Sequence, residues 1–186
     1  MVQFVKVISR EDPFLERIGL TFVDAFPYTE RRDMDDMVKL MMENPRYTVW
    51  AILSDGKYAG FLTFWTFSDF IYAEHFGIEK ELRNKGIGYD AFFKFLSEAP
   101  LPVVGEVETP VDDLTRRRVE FYKRMGMRFY DRPYFHPPFH PHGEKIDVCM
   151  VSYGDIDVNK EFPRIEKYLY KYVYPKEEAC CYAECS

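Results

Sequence analysis

One stretch of the 186-residue chain combines residue types suited to holding an anion: Phe76-Gly-Ile-Glu-Lys-Glu-Leu-Arg83-Asn84-Lys85-Gly86-Ile87-Gly88-Tyr89. It reads as a strand, a basic glycine-containing turn and the start of a helix. Such a turn aims several backbone N–H groups, and the positive end of a helix, at one point. Gly86 and Gly88 let the main chain approach a bound group without obstruction by a Cβ. Arg83 and Lys85 add positive charge, and a pyrophosphate is the natural guest. The spacing is not that of a P-loop, because Gly-x-x-x-x-Gly-Lys-Ser/Thr is absent. It is not the dinucleotide fingerprint either, since no third glycine falls three residues after Gly88. Taken alone, Arg-x-x-Gly-x-Gly also fits an ordinary polar turn that caps a helix.

Another segment, Val119-Glu120-Phe121-Tyr122-Lys123-Arg124-Met125-Gly126-Met127, reads as a helix that ends in glycine and runs into a strand. Together the two segments resemble the GCN5-related N-acetyltransferase (GNAT) superfamily. The basic turn is similar to its acetyl-CoA motif, Arg/Gln-x-x-Gly-x-Gly/Ala. The helix with Tyr122 is similar to its Tyr-x-x-x-Gly-Phe motif, with Met127 in place of the aromatic residue. The resemblance implies acetyl-CoA as co-substrate, with its pyrophosphate on backbone amides of Arg83, Asn84, Lys85, Gly86, Ile87 and Gly88. It implies that the strand Phe76, Gly77 and Ile78 pairs through its backbone with the pantetheine arm. It also implies that Tyr122 gives a proton to the departing CoA thiolate; otherwise Tyr122 is a core residue of an amphipathic helix. One departure is visible. Many members carry an asparagine early in the helix that leads to the tyrosine, whereas Thr115 stands seven residues before Tyr122. Arg116, Arg117 and Arg118 follow it, placed either to reach the adenosine 3′-phosphate or to form a solvated face.

The implied reaction is acetyl transfer to a primary amine by direct attack in a ternary complex. A protonated amine cannot attack a thioester, so a base must take a proton from it, directly or through water. A backbone N–H of Phe76 to Ile78 can stabilise the oxyanion, and holding both substrates together supplies much of the acceleration. Strand alternation puts Tyr72, Glu74, Phe76 and Ile78 on one face and His75 on the other. Glu74 is the first candidate for the base, with Glu106 and Glu108 on the next strand as rivals. Glu30-Arg31-Arg32 falls in the region that faces the acceptor in this fold. A non-catalytic acyl-CoA-binding module of the same fold is the alternative.

The elements that must position these groups follow from hydrophobic periodicity. Their order is β-α-α-β-β-β-α-β-α-β-β-α. Asp12-Pro13 marks the start of the first helix, Asp55-Gly56 a hairpin, and Asp112 or Asp113 the cap of the helix carrying Tyr122. The fold class is α/β, with a mixed, mostly antiparallel sheet and helices on both faces. Residues 1–155 form the acetyltransferase domain, and 156–186 an extra helix (162–174) with a cysteine-containing tail. That length buries enough surface to need no metal or disulfide staple.

Composition excludes several classes. Net charge is −6, from 25 Lys+Arg against 31 Asp+Glu, which argues against nucleic acid or an anionic membrane as partner. A small-molecule or peptide amine is expected instead; monomer and homodimer both stay open. Cys149, Cys180, Cys181 and Cys185 form no framework, and no signal peptide or membrane span is visible, so a reduced, cytoplasmic protein is expected. His136, His140 and His142 share a Pro-rich loop that reads as a wall of the acceptor pocket rather than a metal site. Aromatic residues make up 18%. They crowd the central strands and this loop, suggesting an aromatic-lined acceptor pocket. Tyr168, Tyr170, Tyr172 and Tyr174 are expected to lie outside the catalytic unit.

Overall fold

Alternating strands and amphipathic helices condense, among the described residues, into seven strands and five α-helices in the expected order. The computed structural model describes residues 1–140 and 145–174. The elements are β1 Val2–Val7, α1 Leu15–Ala25, α2 Met34–Glu43, β2 Tyr47–Ser54, β3 Lys57–Thr66, β4 Ile71–Ile78, α3 Ile87–Glu98, β5 Val103–Glu108, α4 Asp113–Arg124, β6 Arg128–His136, β7 Ile146–Tyr153 and α5 Val158–Tyr168. The sheet order is β1-β2-β3-β4-β5-β7-β6. Among the described residues only β4 and β5 pair in parallel, because α3 carries the chain back across the sheet between them. Asp55 and Gly56 both adopt positive φ in the β2–β3 turn, the geometry a two-residue hairpin needs.

The sheet separates two cores. On one face, α1, α2 and α5 bury Ile18, Phe22, Met37, Phe61, Trp65 and Ile165. On the other, α3 and α4 bury Leu62, Ala91, Phe92, Leu96 and Val119. Most rings of the central strands are therefore core, with Phe61, Trp65 and Phe70 wholly buried. Tyr72 and Phe76 are the strand rings left to line a cleft.

Three expectations are corrected. First, α1 starts at Leu15, and Asp12 accepts the Phe14 N–H at 3.0 Å in the turn before it. Second, α5 starts at Val158, tolerates Pro163 inside it, and ends in a π turn, Leu169–Val173. This helix is no appendage. Ile165 and Leu169 are fully buried, and Tyr168 packs on Phe67 and Phe70. Third, β4 carries a bulge. Thr63 faces His75 and Phe64 faces Ala73, which leaves Glu74 as an extra residue. A bulge shifts the alternation by one. Tyr72, Glu74 and His75 all face α1 and α2, while Phe76 and Ile78 face α3. Cys149 is buried on β7; Cys180, Cys181, Cys185 and His142 lie outside the described residues. Among those described, no helix is long and apolar enough to cross a membrane.

Ile165→Ala should cost about 2–5 kcal/mol, the range for truncating a fully buried aliphatic residue, read from urea unfolding. A cost of less than about 0.5 kcal/mol would mean that α5 lies outside the cooperative core.

Candidate active site

The β4–β5 ladder stops at Ala73 and Gly105. Beyond it the two strands diverge, and a cleft of about 650 Å³ opens between them. Its floor is Glu74, His75, Phe76, Glu106 and Tyr122. The β4 edge from Glu74 to Ile78 lacks a ladder partner on the β5 side, which leaves main-chain groups there without a strand to pair with. Gly77 is required there for packing, since a Cβ would lie 2.7 Å from Phe61 Cε1.

The basic turn lies between β4 and the start of α3. Gly86 is the N-cap of α3 at φ +81°, and no side chain caps that helix. Its first-turn N–H groups are open to an anion. Asn84, Lys85 and Gly86 are exposed. Arg83 is otherwise engaged. Its Nε donates to the Ile78 carbonyl at 2.9 Å and its Nη2 to Asp24 at 2.5 Å, which ties the turn to β4 and α1. Thr115 is buried and forms a capping box with Asp112 at the start of α4. Arg116 pairs with Asp113 and Arg118 with Glu108. Arg117, Arg118 and Arg124 bring positive charge to the cleft lining, and Glu30, Glu74, Glu106 and Glu108 bring negative charge; of these, Glu108 is paired with Arg118.

Tyr122 sits where the strands part. Its ring meets Phe92 edge-on at 5.5 Å. Burial pushes its phenol upward, against a smaller pull from Arg118, so it carries a proton at neutral pH.

Glu74 is held differently from expectation. Its side chain is 2% exposed and ion-paired with Arg32 Nη2. Thr63 Oγ1 donates to it at 3.3 Å, and His75 Nδ1 lies 3.4 Å away. Burial raises its pKa, but Arg32 and then His75 outweigh that and bring it to about 2. A carboxylate so held is a weak base, and a role as the base that takes the amine proton does not suit it. Arg32, in turn, lies over the rings of Phe139, Tyr47 and Trp65. The fragment Glu30-Arg31-Arg32 thus supplies a buried cation beneath the cleft.

A further carboxylate cluster had no signal in the sequence. Glu106 accepts hydrogen bonds from Tyr72 at 2.9 Å, from Tyr134, and from Tyr174 at 2.5 and 2.6 Å. These phenols come from β4, β6 and the residue after the π turn. Burial, and then the Glu106 charge, push all three well above the ordinary phenol range, so they stay donors. Tyr174, expected outside the catalytic unit, is buried against the cleft's own carboxylate. The loop histidines separate. His136 lines the cleft, whereas His140 stacks on Tyr28 and donates to the Arg31 carbonyl at 2.9 Å. Among the described residues, no three His, Cys, Asp or Glu side chains converge as a metal site.

Comparison with known proteins agrees with this fold. The model for the acetyltransferase (GNAT) family matches residues 15–127. A GNAT-family protein from Bacteroides thetaiotaomicron superposes with a TM-score of 0.90 at 26% identity, covering 94% of this chain and 99% of that one. Arabidopsis thaliana NAA60 in complex with acetyl-CoA gives 0.57 at 20% identity, over 82% of this chain and 98% of that one. An aminoglycoside 6′-N-acetyltransferase complexed with coenzyme A gives 0.60 at 14% identity, over 83% and 98%. At these identities the last two show likeness of fold. No curated protein matches the chain.

The Glu74 pair sets a pH dependence. Its folded pKa lies below the ordinary 4.5, so its contribution to stability is complete above that value. It is lost as pH falls from about 5 toward 2. The urea midpoint should drop across that window, and less so in Glu74→Gln. Arg32→Ala should cost about 3–5 kcal/mol, because it leaves a buried carboxylate unpaired. Equal pH slopes in wild type and Glu74→Gln would contradict this account.

Proposed function

Since the chain belongs to the acetyltransferase (GNAT) family, we propose that it is an N-acetyltransferase that moves the acetyl group of acetyl-CoA to a primary amine by direct attack in a ternary complex. The observation that carries this reading is the parting of β4 from β5 beyond Ala73 and Gly105, with Tyr122 at the fork and the open amides of α3 beside it.

In this reading the pyrophosphate rests on the N–H groups of the 83–88 turn, and the pantetheine amides pair with Phe76, Gly77 and Ile78 as a missing strand would. Arg117, in the cleft lining, is positioned for the 3′-phosphate. A β4 N–H polarises the thioester carbonyl. The amine lone pair forms the C–N bond and the C–S bond breaks. Tyr122, its phenol raised by burial, gives its proton to the thiolate and is reprotonated by the departing N–H of the adduct. The carboxylates of the cleft suit a cationic acceptor. Structural relatives in this fold are an N-acetyltransferase for the alanine of ribosomal protein S18 and an aminoglycoside 6′-N-acetyltransferase; peptide termini and aminoglycosides therefore belong in the acceptor panel.

Acetyl-CoA should raise the melting temperature, and at least one amine of a panel (peptide N-termini, aminoglycosides, polyamines) should stimulate thiol release. Tyr122→Phe should lower kcat about 10²-fold or more with acetyl-CoA affinity unchanged. Unchanged turnover would remove Tyr122 from the acid role. Binding without turnover on any amine would favour the acyl-CoA-binding module. No thermal shift would defeat both.

A further inference from the structure

The acceptor ammonium needs a base, and the cleft offers six side chains that could serve. Four have their lone pairs or charge already committed. Glu74 is paired with Arg32, and Glu108 with Arg118. Glu106 accepts from three phenols, one each from Tyr72 and Tyr134 and a shared one from Tyr174 that reaches both oxygens, so both of its oxygens are already engaged. His75 donates from Nε2 to the Glu30 carbonyl at 3.1 Å, and its Nδ1 faces Glu74 and Thr63.

His136 is different. It closes β6, is 9% exposed and lines the cleft. Neither ring nitrogen has a hydrogen-bond partner among the described residues. Nδ1 is shut away from solvent, and Nε2 stands 3.8 Å from Glu106 Oε2. That gap is too long for a hydrogen bond, but it is short enough for the carboxylate to stabilise an imidazolium. Phe139 and Tyr174 pack edge-on against the ring at 5.1 and 4.5 Å and fix its plane. The charged or titratable groups facing it are Glu106 on β5 and Tyr174 after the π turn; Tyr72 and Tyr134 bind the same carboxylate.

From this arrangement we infer that His136 Nε2 is the base that takes the proton from the acceptor ammonium, with Glu106, 3.8 Å from that same nitrogen, as the charge beside it. The inference rests on the acetyltransferase reading of the cleft. The proton leaves R–NH3+ for Nε2, and the freed amine attacks the thioester. The imidazolium is held by the Glu106 carboxylate until it releases its proton to water. Glu30, half-buried at the cleft rim, is the sixth side chain and the rival.

Bromoacetyl-CoA tests the placement without knowledge of the acceptor. The base beside the acyl group attacks the methylene, forming an N–C bond as bromide leaves with the C–Br electron pair. The protein is used with Cys180→Ser, Cys181→Ser and Cys185→Ser, which remove competing thiols. Mass spectrometry should find one adduct, on His136; it should be absent in His136→Gln and retained in His140→Gln. The His136→Gln variant should keep the wild-type thermal shift with acetyl-CoA. With the fastest amine of the panel, it should lower kcat/KM about 100-fold or more and lose the acidic limb of the pH profile. An adduct on Glu30, no adduct, or a retained acidic limb overturns the assignment while leaving the acetyltransferase reading intact. Failure of acetyl-CoA to shift the wild-type melting temperature removes that reading, and the base with it.

Discussion

Everything at the cleft depends on two parallel strands that stop pairing. β4 and β5 hold together over three residue pairs, ending at Ala73 and Gly105, and then separate. An unpaired strand edge inside a protein is costly unless something satisfies it. Here the separation leaves the β5-facing edge of Glu74 to Ile78 without a pairing strand, beside the uncapped start of α3. A ligand with amides along its length and an anion at one end satisfies both. In the proposed reading, recognition therefore runs largely through main chain, and side chains are left to handle protons.

The bulge at Glu74 is another such device. By adding one residue to β4 opposite Thr63 and Phe64, it turns two consecutive ionisable side chains, Glu74 and His75, toward the same side. A buried carboxylate there requires a partner, and Arg32 provides it from the segment that links α1 to α2. The same cation lies over three aromatic rings. Tyr47, Trp65 and Phe139 thus pack around a buried ion pair. Glu106 is treated in the same manner with phenols. Glu74 thereby becomes a fixed charge and a poor proton acceptor, and both Glu106 oxygens are engaged by phenols.

The order of elements, the glycine-containing turn before α3 and the helix carrying Tyr122 were legible because each rests on local pattern: periodicity, glycine spacing, a helix ending at Gly126. The faces of β4 were not legible beyond Ala73, since a bulge is set by the pairing strand and leaves no mark in alternation. Arg83 reads as free charge in the sequence, yet Asp24, 59 positions away, occupies it. The Glu106 cluster joins Tyr72, Tyr134 and Tyr174, which no short-range spacing connects. The same holds for α5: its apolar stripe was visible, but which surface it covers depends on the whole sheet.

Hydrogen–deuterium exchange with and without acetyl-CoA tests the central claim most directly, because the claim concerns main-chain amides. Acetyl-CoA should slow exchange selectively at Phe76 to Ile78 and at the turn from Asn84 to Gly88, with the paired strands β1 and β2 unchanged. Protection confined to other surfaces, with those two segments exchanging as in the free protein, would contradict the account.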